Sequence, residues 1–278
     1  MRARRPSPFA LAALVLSVLA VLASASAWAV ERPGRIVSAN LCADRLVLAL
    51  APRAHVVSAS ALAFDRALST VWREAEGLRP NRGDAEEILA LSPDLVVLGA
   101  PAPRATAEAL RRLGLRVHVV GLADDLAGAK AEIRSLARAL GEDARGEAMV
   151  AELEARIAAL AAAARPHRAA VLLAGGWTAG QGTMADALLG AVGVENMAAR
   201  AGLRGHGALR LEELVAADPA LLVVEDAGDA GASLSAELLA HPVLARGRAR
   251  VLRMPARLWA CPDLALADAA ALVAEASR

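Results

Sequence analysis

The chain has no tyrosine, two phenylalanines and a single lysine, Lys130. Its aromatic content is therefore mostly tryptophan, and Trp72, Trp177 and Trp259 stand out against a background of alanine, leucine and valine. The shortage of lysine against thirty arginines reads as base composition and points to no function. Neither sign of charge dominates: the formal net charge is +1. That balance lacks the basic footprint of a nucleic-acid binder and offers no polybasic membrane patch. The Walker lysine pattern is absent, as are the G-x-S-x-G elbow of serine hydrolases and the H-E-x-x-H of zinc proteases, which argues against those enzyme classes. There are two cysteines, and none precedes Cys42, which argues against a lipid-anchored lipoprotein.

The start of the chain has the form of a secretory signal. Arg2, Arg4 and Arg5 precede an apolar run from Phe9 to about Ala23, and a small-residue stretch ends Ala27-Trp28-Ala29. The run is short for a membrane span of about 20 residues. Cleavage after Ala29 is expected, leaving 249 residues. The removed part holds three arginines and no acid, so the formal charge falls from +1 to −2. In an exported protein an even cysteine count suggests a disulfide.

Beyond residue 33, strand and helix patterns alternate. Strands are expected at 35–38, 55–58, 95–98, 116–120, 169–174, 221–224 and 250–253. Helices are expected from 41 (with Asn40 as N-cap), from Asp84 to before Pro93, and at 105–113, 124–140, 145–164 (ended by Pro166), 184–192, 211–217, 234–240 and 264–276. Asp84 with Glu87 reads as a capping box, and residues 59–83 read as a long surface connection. The chain also echoes itself: EEILALSPDLVVL at 86–98 and EELVAADPALLVV at 212–224 agree at six of thirteen positions. The copies fall on either side of the 145–164 helix. The expected fold is α/β: two Rossmann-like lobes with mostly parallel sheets, 30–141 and 168–278, joined by one long α-helix within 142–167. Ligands bind such sheets at the carboxyl ends of strands, so a cleft between the lobes is the expected site.

RIVSANLCADRLVLALAP, EEILALSPDLVVLG, ALGEDARGEAMVAELEARIAAL and GGWTAGQGTMADALLGAVGVENMA, in this order and spacing, resemble the solute-binding proteins of ABC importers that carry iron-siderophore complexes, haem or cobalamin. The resemblance covers essentially the whole chain after residue 29. It implies a non-catalytic, monomeric, periplasmic protein with no intrinsic cofactor and no metal site of its own. It implies a metal chelate captured between the lobes, and a partner, the ABC permease dimer of the inner membrane. It also implies that each lobe presents one acid to that permease; the matching positions are Glu86 and Glu212. Both sit at helix starts, where acids are favoured by the helix dipole alone.

The residues themselves suggest ligand contacts. Trp72, Trp177 and Trp259 offer flat apolar faces in or beside loops that follow strands. Asn40, Leu41 and Cys42 start a helix whose free amides could hold a polar ligand edge, and Cys261 lies in the corresponding late loop of the second lobe. For the cysteines a disulfide across the lobes ranks first, ahead of two thiolates acting as soft metal ligands or two unrelated thiols. His206, between Gly205 and Gly207 in a loop expected to be flexible, could bring imidazole to a metal. Gly180-Gln181-Gly182-Thr183-Met184-Ala185 fits a loose dinucleotide pattern, but no acid completes it. The competing expectation is an exported enzyme with a cleft thiol, Cys42 or Cys261, and His206 as its base. Among cargoes, the shortage of arginine clusters leans toward a corrinoid or another weakly charged chelate.

Overall fold

A computed structural model describes residues 32–100, 104–161, 167–226 and 249–278. The expected signal segment, the helix at 234–240, His241, the end of the 145–164 helix and Pro166 lie outside the described residues. The chain forms two units, Met1–Arg32 and Pro33–Arg278, and the architecture below is that of the second.

The first sheet is parallel throughout. Its strands are β1 (Ile36–Ser38), β2 (Val56–Ser60), β3 (Arg79–Asn81), β4 (Leu95–Gly99) and β5 (Arg116–Val120), in the order β3-β2-β1-β4-β5. Helices α1 (Leu41–Leu50), α2 (Ala85–Ala90), α3 (Arg104–Arg112) and α4 (Leu126–Leu140) accompany it. The second sheet holds β6 (His167–Leu172), β8 (Val194–Asn196), β10 (Leu221–Asp226) and β11 (Arg250–Pro255), also parallel, in the order β11-β10-β6-β8. With it come α6 (Met184–Ala191), α7 (Met197–Arg200), α8 (Leu211–Ala217) and α9 (Ala265–Ala276). A two-stranded antiparallel ribbon, β7 (Trp177–Ala179) with β9 (His206–Ala208), is added to this half. Between the sheets runs α5 (Asp143–Ala161), which is 19 residues long.

The two halves share one plan. In each, the first strand is flanked by the next strand of the same sheet and by the strand of the echoed segment, which in turn carries an edge strand. The copies agree in backbone detail as well: the only positive-φ residues other than glycine among the described residues are Ser92 (φ 46°) and Asp218 (φ 43°). They occupy the same place in the echo, each directly before its proline, where ordinary helical backbone is disfavoured. The second glutamates also match. Glu87 accepts from the Arg82 amide at 2.8 Å and Glu213 from the Arg210 amide at 3.3 Å. Asp84, expected to cap its helix, makes no capping bond with its side chain; Glu87 reaches back to the chain before the helix instead.

Residues 59–83 depart from the expected open connection. They contain the edge strand β3, and Ala63, Ser69 and Ala75 are buried. The strand is three residues long and includes Pro80, so it carries no readable alternation.

Strand residues alternate between two cores. Leu95 and Val97 face the main cluster while Val96 and Leu98 face a satellite; Leu221 and Val223 repeat this against Leu222 and Val224. Burial on both faces is the mark of parallel sheets. The main cluster is continuous from Ile36 through Ile133, Leu136, Val150 and Leu153 to Val171, Leu266 and Val273. The lobes are thus two sheets around one shared core, with α4 and α5 inside it.

A polar pin crosses the same junction. Arg45 on α1 is 1% exposed and Asp263 is 5% exposed. The guanidinium meets the carboxylate with two nitrogens, Nη2–Oδ1 at 2.7 Å and Nε–Oδ2 at 2.5 Å, and donates to the Arg257 carbonyl at 2.6 Å. One helical turn before Arg45, Cys42 is bonded to Cys261, with their Cα atoms 5.1 Å apart. Removing one partner of a buried pair strands the other charge, at a cost of about 3–5 kcal/mol. Asp263→Ala is therefore expected to lose about that much unfolding free energy, read from urea denaturation of the disulfide-intact protein.

Next to Arg45, Asp44 is also buried, accepting from the Ser60 amide at 3.0 Å and from its hydroxyl. Burial, opposed by these hydrogen bonds, raises its pKa above 3.8. A carboxyl that holds its proton more tightly when folded stabilises the fold below its unfolded pKa, and this contribution is lost as pH rises through the folded value. Asp44→Asn keeps a hydrogen-bonding side chain of the same shape and removes the titration. The wild type is thus expected to gain stability relative to this variant as pH falls from neutrality toward about 4. Parallel stability curves for the two proteins would contradict the assignment.

Candidate functional site

The carboxyl ends of both sheets converge on one cavity of about 250 Å³. From the first half come Ala100 after β4 and the stretch 120–124 after β5. From the second come Leu173 after β6, the start of α6, Glu225 in β10 and the turn Trp259–Pro262 after β11. This is the crevice that reversed strand order creates in open parallel sheets. The Cys42–Cys261 bridge lines it. Leu122, 67% exposed, and the half-buried Trp259 supply apolar wall.

Its charge is one-sided. Asp124 and Glu225 line the cavity, together with His206 and no lysine or arginine among the described residues. The Trp259 indole N–H donates to Glu225 Oε1 at 3.0 Å, and the Ala174 amide approaches Oε2 at 3.4 Å. One indole thus presents its face as wall while its N–H orients a carboxylate.

Of the eight residues nominated for ligand contact, Cys42, His206, Trp259 and Cys261 line this cavity and four do not. Asn40 caps α1: its Oδ1 accepts from the amides of Cys42 at 2.9 Å and Ala43 at 3.5 Å. The helix-start amides expected to meet a ligand are therefore satisfied from within, and Leu41 lies half-buried beside them. Trp72 is held by the guanidiniums of Arg66 and Arg73, 4.3 and 4.4 Å from its ring centre. Trp177 is 50% exposed on β7 and does not line the cavity, although Ala179 two residues on does. His206 is not in a flexible loop but in β9, paired with Ala179.

Glu225, Asp124 and Leu122 were missed by the sequence reading. Glu225 had a usable signal: it extends the second echo past the point where the first copy has Gly99. The glycines of the loose dinucleotide pattern have structural work. A Cβ on Gly180 would lie 2.2 Å from the Leu203 carbonyl oxygen, so the ribbon's close packing requires glycine there. Thr183 caps α6 through the Asp186 amide.

Glu86 and Glu212 are exposed in the first turns of α2 and α8, and neither has a hydrogen bond or ion pair among the described residues. Also among the described residues, no three His, Cys, Asp or Glu side chains cluster to hold a metal ion.

The sequence matches the family model described as periplasmic binding protein over residues 36–250. A cobalamin-binding protein of Halobacterium salinarum is 29% identical over 206 residues, 72% of this chain and 56% of that protein. The chain thus spans little more than half the length of that curated relative. Among solved structures, a periplasmic heme-binding protein from Roseiflexus sp. RS-1 in apo form is 27% identical. That match covers 88% of this chain and 99% of the other, with a TM-score of 0.69. A periplasmic vitamin B12 binding protein of Vibrio cholerae shares the fold, with a TM-score of 0.66, 19% identity, and coverage of 88% of this chain and 96% of that one.

Proposed function

We propose, from the premise that the chain belongs to the periplasmic binding protein family, that it captures a weakly charged metal chelate, a cobalt corrinoid, and hands it to an ABC importer. The observation that carries the choice of cargo is the cavity's sign of charge. Asp124 and Glu225 face the ligand space without a described cation beside them. A haem with two carboxylates or an anionic ferric siderophore would bring like charge to these groups, and such juxtapositions cost several kcal/mol. A corrin edged with amides brings N–H donors to the same carboxylates and an apolar face to Trp259 and Leu122. The cavity volume of about 250 Å³ lies below the usual range for a drug-sized ligand, so a corrinoid seats one edge there and projects outward.

Binding without catalysis suits the site better than the thiol-enzyme alternative, because both cysteines are consumed in the bridge. In this reading residues 1–29 direct export to the periplasm. The protein acts there as a monomer, so that both acids meet the inner-membrane permease dimer, and it has no dealings with nucleic acid.

Intrinsic tryptophan fluorescence tests the cargo. Titration with cyanocobalamin, corrected for absorbed light, is expected to give saturable quenching; haem and ferric siderophores are expected to give none. Trp259→Phe is expected to lose most of the signal while Trp72→Phe keeps it. Saturation by haem or a siderophore alone would replace the cargo, and silence from all three would remove the reading.

Docking is tested separately. Glu86→Lys combined with Glu212→Lys is expected to leave cyanocobalamin affinity unchanged. Uptake by cells carrying the matching importer should fall by about tenfold or more, since each reversal places like charges together. Normal uptake by the double variant would show that the two acids serve only their helix dipoles.

A further inference from the structure

We infer that a second cavity, set against the β7–β9 ribbon from the other side, binds a neutral aromatic molecule of about two rings with one hydrogen-bonding group, and that Thr178 is its polar anchor. The inference is independent of the choice of cargo, because this cavity and the cleft share no lining residue among the described ones.

The wall comes first. The cavity holds about 480 Å³, nearly twice the cleft, and falls inside the range of small-molecule sites. It lies in the second half, between the ribbon, α7 with the turn that follows it, and α8. Met197, Leu203, Leu209 and Leu214 give it apolar surface. The amides of the turn are already spent: Ala201 donates to the Met197 carbonyl, Gly202 to that of Ala199 and Leu203 to that of Ala198, at 2.9–3.0 Å. Glu213 is the charged side chain of the described lining, and Arg210 engages both its oxygens, Oε1 through Nε at 3.2 Å and Oε2 through the amide at 3.3 Å. A charged ligand would therefore find no counter-charge here.

Thr178 is the exception in this wall. It is 3% exposed, and its hydroxyl has no hydrogen-bond partner. A buried polar group left unpaired costs free energy. The register aims this side chain. Ala179 pairs with His206, and both line the cleft; Thr178 pairs with Gly207 and takes the opposite face. On that face a Cβ at Gly207 would come within 2.8 Å of Leu203 Cδ1, so Thr178 points toward the Leu203 side of the second cavity. Water is a poor occupant, since a buried water needs two to four polar partners and the side chains of this wall leave one hydroxyl unpaired.

Size and softness set the rest of the ligand. A cavity of about 150 Å³ admits a benzene, and this one is about three times larger, which suits two fused rings. The Met197 thioether is a favourable neighbour for an aromatic edge. One hydroxyl or ring N–H on such a body completes Thr178 and leaves the apolar wall undisturbed.

The probes are 2-naphthol and naphthalene, which differ by the hydroxyl. In amide NMR spectra of the disulfide-intact protein, 2-naphthol is expected to shift Thr178, Leu203 and Leu214 saturably and to leave Trp259 and Cys261 in place. Thr178→Val keeps the shape and removes the hydroxyl. It is expected to weaken 2-naphthol about tenfold and to leave naphthalene unchanged. Without ligand, Thr178→Val is expected to melt no lower than the wild type, since it removes an unpaired buried group. Ala217→Phe, which fills the cavity from α8, is expected to abolish binding of both probes. Absence of saturable shifts at the cavity amides, or shifts confined to the cleft, would overturn the site. A 2-naphthol affinity indifferent to Thr178→Val, or a lower melting temperature for that variant, would overturn the anchor.

Discussion

The contact on which the rest of the structure depends is the buried junction between the halves, Arg45 on Asp263 beside the Cys42–Cys261 bridge. Two charges taken out of water cost more than their attraction returns unless the remaining donors and acceptors are also satisfied. Here most of them are: Nη2 donates to Asp263 Oδ1, Nη1 donates to the Arg257 carbonyl, and Asp263 Oδ1 also accepts from the Ala265 amide at 2.9 Å, while Nε lies against Oδ2 as an ion pair without hydrogen-bond geometry. An apolar pair could fill the same volume. What the ion pair adds is register, because its forked geometry is met in one arrangement of α1 against the turn before α9.

That register fixes the cleft. Cys261, Pro262 and Asp263 follow directly on Trp259 and Ala260, so the pin that holds Asp263 also sets the indole that orients Glu225. On the other side, Cys42 and Arg45 share one turn of α1, the helix that Asn40 caps. The bridge closes a separation of 219 residues, a constraint on the unfolded chain of the order of 5 kcal/mol in the loop-entropy account. The main core is continuous through α4 and α5 and packs the two halves together. The cavity is a crevice between the two halves, lined from both.

How much of this was legible follows from which interactions write a pattern into neighbouring residues. Strands β4, β5 and β10 and helices α4, α8 and α9 announce themselves through apolar runs or helical spacing, and the echo revealed the duplication that Ser92 and Asp218 repeat in backbone angle. The ribbon β7–β9 and the strands β3 and β8 are three residues each, too short for a period, and their pairing is decided by partners far along the chain. Nothing in the neighbouring residues marks Arg45 and Asp263, since burial of an ion pair depends on a partner 218 positions away. The same holds for the tryptophans. Trp72 and Trp259 look alike in sequence, yet one is held by Arg66 and Arg73 while the other meets Glu225.

Duplication also explains why the acids on the outside match and the cleft inside does not. Glu87 and Glu213 do the same job, reaching back to amides before their helices, which leaves Glu86 and Glu212 exposed in equivalent first turns. If the two acids dock as proposed, a partner built from two like subunits would meet the same surface on each half. At the strand ends the copies part. Gly99 closes its strand so tightly against Asn40 that a Cβ would fall 2.0 Å from Oδ1. The corresponding residue of the second copy, Glu225, puts a carboxylate into the cavity. The asymmetry therefore falls at the cavity that both copies border: a closed, capped strand end on one side, and a charged, tryptophan-held one on the other.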